Sequence, residues 1–231
     1  MKRSDFLFLC FIAVLFLPFV ISGGLYRFYS AFNDSHGYIT SFIKFAVLAT
    51  AGEMLGLRIR SGQYFEKGFG ILPRAMIWGC LGVAIKAAFV IFGSGVPAVL
   101  ANLGLEDPSG RLAGDFSGGK LLISFSISLL LNLIFAPVMM TLHRVTDTHI
   151  MNTGGSLSGF FSRMNVADIL VKINWKMHWG FVLKKTIPLF WIPAHTITFL
   201  LPAGFQVLFA ALLGILLGVI LAFAARAESD L

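Results

Sequence analysis

Apolar runs as long as a membrane-crossing helix recur along this chain, and no other feature limits its possible folds so severely. A helical span takes about 20 apolar residues. Stretches of that scale occupy roughly residues 6–22, 38–57, 75–100, 121–142, 181–201 and 205–225. Hydrocarbon offers the backbone no hydrogen-bond partner, so only helices or closed barrels cross it. A barrel strand would alternate apolar and polar residues over about 10 positions. These runs are continuous, which selects helices. Of the 231 residues, 57% are hydrophobic and only 13% charged, against about 25% charged in an average soluble domain. The mean hydropathy is +0.85. The expected fold is all-α, a polytopic transmembrane helical bundle of about six spans. Residues 1–37 would form an N-terminal anchor and loop, and residues 38–231 a five-span membrane domain.

Lys2 and Arg3 precede the first run, and Val20, Ile21 and Ser22 stand before Gly23 and Gly24. That pattern also fits a secretory signal peptide. The run is long for such a signal and five more follow, which favours a retained anchor; the cleaved alternative stays open.

The formal net charge is +7, which in a soluble chain would suggest nucleic acid. No basic stripe is interleaved with aromatics here, so nucleic acid is not an expected partner. Distribution carries the information instead. With six spans, one side holds Lys2, Arg3, Arg58, Arg60, Lys67, Arg74, Arg144, Arg163, Lys172, Lys176 and Arg226, and the other Arg27, Arg111 and Lys120. Both termini are therefore expected in the cytoplasm, and the location is expected to be a cell membrane. Between the fourth and fifth runs, residues 146–159 read as a polar, glycine-rich loop. Val166, Ile169, Leu170, Ile173 and Met177 then recur at helical spacing behind an Asn165/Asp168 start signal. Residues 165–177 are expected to form either an amphipathic helix on the membrane surface or an extension of the fifth span.

Polar residues inside the runs point to function, because an ionisable side chain facing lipid at mid-depth costs about 2.5–3.5 kcal/mol. Lys44, Glu53, Lys86 and His195 are the ionisable candidates, with Asn132 as a polar companion. Lys86 lies twelve residues after Arg74, about 18 Å at the rise of a helix, and so near mid-membrane, too deep for easy snorkelling. Lys44 lies nearer the far face, where its stem can snorkel. Glu53 sits near the basic end, and no direct Glu53–Lys86 ion pair is expected. His195 falls in WIPAHTITFLLP, residues 191–202, a segment interrupted by prolines in which Thr196 and Thr198 can supply missing hydrogen bonds. Such a segment either lines a cavity or serves packing.

Gly52/Gly56, Gly79/Gly82 and Gly214/Gly218 form small faces that allow close helix approach; self-association into a homo-oligomer is left open. Cys10 and Cys80 read as small buried hydrophobes. His143, Asp147 and His149 form the densest titratable group, but in an expected loop, so no metal site is expected. No phosphate-cradling loop, HExxH, CxxC or nucleophile elbow occurs. Neither catalysis nor a cofactor is expected.

Taken in order, the polar motifs resemble those of a family of small integral membrane proteins, the peroxisomal membrane protein of twenty-two kilodaltons and its mitochondrial relatives of the Mpv-seventeen type. Gly52-Glu53 stands for the family's early Gly-Asp, and Gly82, Lys86 and Phe89 keep a second spacing. Asn132 falls at a glutamine ahead of Phe135, Ala136 and Pro137. Trp191, Pro193, His195, Thr198, Phe199, Pro202 and Gln206 follow the last motif. His, Thr and Gln replace the family's Gln, Asn and Arg there, and two gaps are one residue shorter. The resemblance runs from about Lys44 to Ala225 and suggests a divergent, bacterial branch. It implies a weakly selective pore for small solutes or ions, with Glu53, Lys86, Asn132, His195 and Thr198 as pore-lining or buried polar positions. The rival expectation is a non-conducting membrane module that binds lipid or a protein partner.

Overall fold

Turns set by glycine and by capped helix starts divide the chain into helices, and every described element is helical. The computed structural model describes residues 2–229, with the side chains of Leu221 and residues 224–229 excepted; Arg226, counted above on the basic side, lies outside the described side chains. The order is α1 (Arg3–Ile21), α2 (Gly23–Ser35), α3 (Gly37–Ser61), α4 (Ile71–Asn102), α5 (Pro108–Ala113), α6 (Gly118–Asn152), α7 (Leu157–Phe160), α8 (Val166–Lys172), α9 (Trp175–Met177), a π-helical stretch (His178–Trp191), α10 (Ile192–Leu200) and α11 (Ala203–Ser229). Gly62, at φ +79°, ends α3, and Gly70, at φ +70°, precedes α4; left-handed backbone is open to glycine at little cost. The Ser117 hydroxyl caps α6 by accepting from the Lys120 amide at 3.1 Å.

Among the described residues, four helices are long and apolar enough to cross a membrane: Arg3–Ile21, Ile71–Asn102, Gly118–Asn152 and, within α11, Ala203–Ile220. The expected second and fifth spans are built differently. α3 is a single 25-residue helix that carries Lys44 and Glu53. The fifth is a composite of the 14-residue π-helical stretch and the nine-residue α10. Pro188 inside the former lacks an amide donor and its ring crowds the preceding turn, a conflict that a wider coil relieves.

Large apolar side chains point outward along these helices: Ile91 is 63% exposed, Val138 67% and Leu189 77%. α1 buries no residue at all despite a mean hydropathy of 2.5. Water would penalise so much outward hydrocarbon, and a bilayer favours it. The chain is thus a helical protein suited to a membrane. Its core joins Phe45 and Leu48 of α3, Ile85 and Phe89 of α4, Ile123, Ile127 and Leu131 of α6, Phe199 of α10, and Val207 and Ala211 of α11. Glycines set the closest contacts. A Cβ on Gly82 would lie 2.6 Å from the Ser41 carbonyl oxygen, and one on Gly52 2.9 Å from Ile215.

Several expectations are corrected. α6 continues ten residues past 142, to Asn152, so His143, Asp147 and His149 sit on a helix rather than in a loop. The loop expected before α3 contains α2, whose Asn33 accepts from the Lys44 ammonium at 2.5 Å; Lys44 therefore ends on protein rather than in water. The amphipathic segment is two short helices, α8 and α9, broken at Ile173 and Asn174. Asn165 caps α8 as expected, accepting from the Asp168 amide at 3.3 Å. Ile169 and Ile173 pack on Val145 of the α6 extension.

α1 is fastened at one end. Asp5 accepts two hydrogen bonds from the Arg58 guanidinium, at 2.7 and 2.9 Å, and Phe8 stacks on Tyr64 with centroids 4.7 Å apart.

Candidate functional site

Two helix ends bring together a cluster of charges that the apolar pattern conceals. Arg74 stands in the first turn of α4, buried, and its Nε donates to the Phe69 carbonyl oxygen at 2.6 Å. Its guanidinium also pairs with Glu53 of α3 and with Asp147 of α6, and lies 4.4 Å from the Phe69 ring centroid. Trp78, one turn further along α4, donates its indole N–H to Glu53 at 2.8 Å. His143, one turn before Asp147 on α6, places Nε2 3.2 Å from the same carboxylate. Three helices are thereby pinned at one level. A buried carboxylate is tolerable because it is both paired and hydrogen-bonded.

Deeper in the bundle lies a second polar group. Asn132 on α6 has no exposed surface; its Nδ2 donates to the Ser128 carbonyl oxygen at 2.8 Å. Nδ1 of His195 on α10 is 3.0 Å from that nitrogen and 3.2 Å from Asn132 Oδ1. Ser128 in turn donates to the Ile192 carbonyl oxygen at 2.7 Å, tying α6 to the first turn of α10. Thr196 donates to the same oxygen.

A cavity of about 700 Å³ connects the two levels. Exposed Arg60, Glu66, Lys67 and Met151 flank its mouth, the charged cluster lines its throat, and Asn132, His195, Phe89 and Trp191 line its deep end. Its walls come from α3, α4, α6, the π-helical stretch, α10 and α11. The size falls within the range of small-molecule pockets, about 300–1,000 Å³.

Of the residues singled out in the sequence, Glu53, Asn132 and His195 line this cavity, and Lys86 and Thr198 do not. Lys86 is half-buried and runs beside Gly37, the first residue of α3, with Cε 3.4 Å from the place a Gly37 Cβ would take. It therefore reaches the end of α3 away from the mouth, a snorkelling route that sequence depth alone does not reveal. Thr198 is fully buried and donates back to the Ala194 carbonyl oxygen at 3.0 Å. Glu53 pairs with Arg74 and not with Lys86. In the sequence Arg74 reads only as a cation on the basic side, His143 and Asp147 only as part of a titratable group in an expected loop, and nothing singles out Trp78. The signal that could have found them is Glu53 itself, since a carboxylate near the end of a span demands a cation within reach. Among the described residues, no group of three or more His, Cys, Asp or Glu side chains is placed to hold a metal ion.

No family model, no curated protein and no solved structure matches this chain.

Proposed function

We propose that the chain crosses the membrane six times, with α3 as the second crossing and the π-helical stretch plus α10 as the fifth, and that it provides a pathway for small solutes or ions. One observation carries the reading: a cavity of about 700 Å³ runs from an exposed charged mouth to the Asn132–His195 pair at the centre of the bundle. The basic residues at the mouth support a cytoplasmic position for that end, by the positive-inside rule. On this reading the pathway is open at the charged end and closed at the other by the packed Phe89, Phe199 and His195 rings, with Phe89–Phe199 centroids 5.0 Å apart. Membership of the small-pore family remains part of this proposal, and Gly52, Glu53, Phe89, Asn132, Trp191 and His195 of the shared motifs all lie on the cavity.

The test is solute flux and single-channel conductance from purified protein in liposomes and planar bilayers, compared with Gly214→Phe. A Cβ on Gly214 meets nothing within 4 Å, and the residue lines the cavity, so the variant should fold and plug the pathway. Flux from the natural sequence that falls at least tenfold in the variant supports the proposal. Absence of flux in both sinks it.

The second reading, a non-conducting module that holds lipid, is favoured by one feature: between throat and deep end the walls are mostly apolar, with Leu57, Met139, Met140, Val182 and Leu217 among them.

A further inference from the structure

α10 and α11 are joined by the short turn at Leu201 and Pro202, yet each is bound to a different neighbour. α11 lies along α3, seated where Gly52 admits Ile215, and α10 lies along α6 through Ser128, Asn132 and His195. The two arms meet at their turn and separate toward the basic end, and the cavity occupies the gap. On one wall, α11 presents mostly small residues, Ala210, Ala211, Gly214, Gly218 and Ala222, with Leu217 among them. The other wall holds Met140 and Val182. At the deep end the polar atoms of Asn132 are spent on Ser128 and His195, and Asn132 exposes no surface, so little there rewards a hydrated ion. The mouth is different. Glu53 and Asp147 are engaged by Arg74. Arg60 and Lys67 make no ion pair among the described residues, and Arg144, half exposed, comes no nearer than 3.8 Å to Asp147. Against these cations stands Glu66, which makes no ion pair among the described residues.

A cationic mouth above an apolar shaft is complementary to an amphiphile with an anionic head and one hydrocarbon chain. We propose that this cleft binds such a molecule, a long-chain carboxylate or a single-chain phosphate, with its head at Arg60, Lys67 and Arg144 and its chain between α11 and the π-helical stretch. The proposal rests on the cavity assigned above as a solute pathway and names the class of solute. The shaft is long enough: Asn132 and His143 are eleven residues apart on α6, about 16 Å at the rise of a helix.

The test uses full-length protein in phosphatidylcholine nanodiscs with a photoactivatable long-chain fatty acid, the cross-linked peptides being mapped by mass spectrometry. Cross-links are expected at residues 139–140 and on the Gly214 face of α11, displaced by unlabelled oleate and not by oleylamine. Lysophosphatidate forms a separate arm: if it displaces the probe as oleate does, the head is recognised by charge, and if it does not, by its carboxylate. Gly214→Phe should lower cleft labelling at least tenfold, with the melting temperature and labelling of outward residues such as Leu189 unchanged. Combined Arg60→Gln, Lys67→Gln and Arg144→Gln should erase the preference for oleate over oleylamine. Labelling confined to the lipid-facing surface, equal displacement by oleylamine, or an unaffected Gly214→Phe would each overturn the inference. Flux without cleft labelling removes this inference and leaves the pathway standing; cleft labelling without flux does the reverse.

Discussion

Arg74 is the residue on which the charged cluster depends, because two carboxylates from different helices converge on its guanidinium. Replacing it with Met keeps the stem and leaves Glu53 and Asp147 facing each other, both largely shielded from water. Losing one partner of a buried ion pair costs about 3–5 kcal/mol, so Arg74→Met should unfold far more readily in detergent, as read by thermal denaturation. Adding Glu53→Gln and Asp147→Asn should recover most of the loss, whereas a loss unrelieved by those changes would refute the pairing. Asn132 and His195 invite the same logic without charge. Asn132→Leu strands the His195 ring nitrogen and should cost about 1–3 kcal/mol, and Asn132→Leu with His195→Phe should cost less than the single change. Non-additivity in that thermodynamic cycle is the measurement. Glu53, Asn132 and His195 were legible in the sequence because an ionisable or amide group stands out within an apolar run. The roles of Arg74, His143 and Asp147 were not, because they lie where runs end: Arg74 reads as an ordinary loop cation, and His143 and Asp147 as a titratable group in a loop rather than on a helix. Their meaning appears only once α4 is seen to begin at Ile71 and α6 to end at Asn152.

Elements in this protein are positioned by absent side chains as much as by present ones. Lipid supplies no hydrophobic drive for one helix to choose another, so close backbone approach and dispersion must do so. The glycine faces were visible in the sequence, but their partners were not, since small spacing does not say which helix arrives. The structure gives Gly79 and Gly82 of α4 to Phe42, Ser41 and Phe45 of α3, and Gly52 to Ile215 of α11. Gly214 and Gly218, of identical spacing, face open space at their Cβ positions. Within two motifs of the same spacing, Gly52 thus closes on Ile215 while Gly214 leaves the cavity wide, and a Cβ on Gly56 would lie 3.9 Å from the Gly218 carbonyl oxygen. Gly52→Val should force α11 from α3 and cost about 1–3 kcal/mol, the usual penalty of overpacking. Gly214→Ala should stay within about 0.5 kcal/mol of the natural sequence, as substitutions away from packed contacts do. Equal effects in side-by-side denaturation would show that this division of labour is wrong. The π-helical stretch was the least legible element. Its one proline, Pro188, announced an interruption, but whether the coil would kink, end or widen depends on the packing of α6 against it.

For the molecule as a whole, the number of crossings decides what the cavity can be. Among the described residues, four helices are apolar and long enough to cross without help. If only those crossed, α3 would remain on one face, and Asp5 near the start of α1 would be separated from Arg58 near the end of α3 by the bilayer. Their hydrogen bonds at 2.7 and 2.9 Å support α3 as a crossing. Glu53 and Lys44 exclude α3 from a purely apolar criterion, yet each is satisfied within the protein, by Arg74 and by Asn33, which is how an otherwise costly residue is accommodated in a span. The two arrangements assign residues to sides differently, and cysteine reporters separate them. In a background with Cys10 and Cys80 replaced by serine, Ser4→Cys, Gln63→Cys, Ser109→Cys and Ser158→Cys each place a thiol at an exposed position. Six crossings put Ser4, Gln63 and Ser158 on one side and Ser109 alone on the other. Four crossings put Ser4 with Ser109, opposite Gln63 and Ser158. A membrane-impermeant maleimide applied to intact cells and to inverted vesicles should therefore label Ser109→Cys from outside, and the other three only from the cytoplasmic face. Labelling of Gln63→Cys from outside would leave the cavity without α3 as one of its membrane-embedded walls, and the pathway would fall with it.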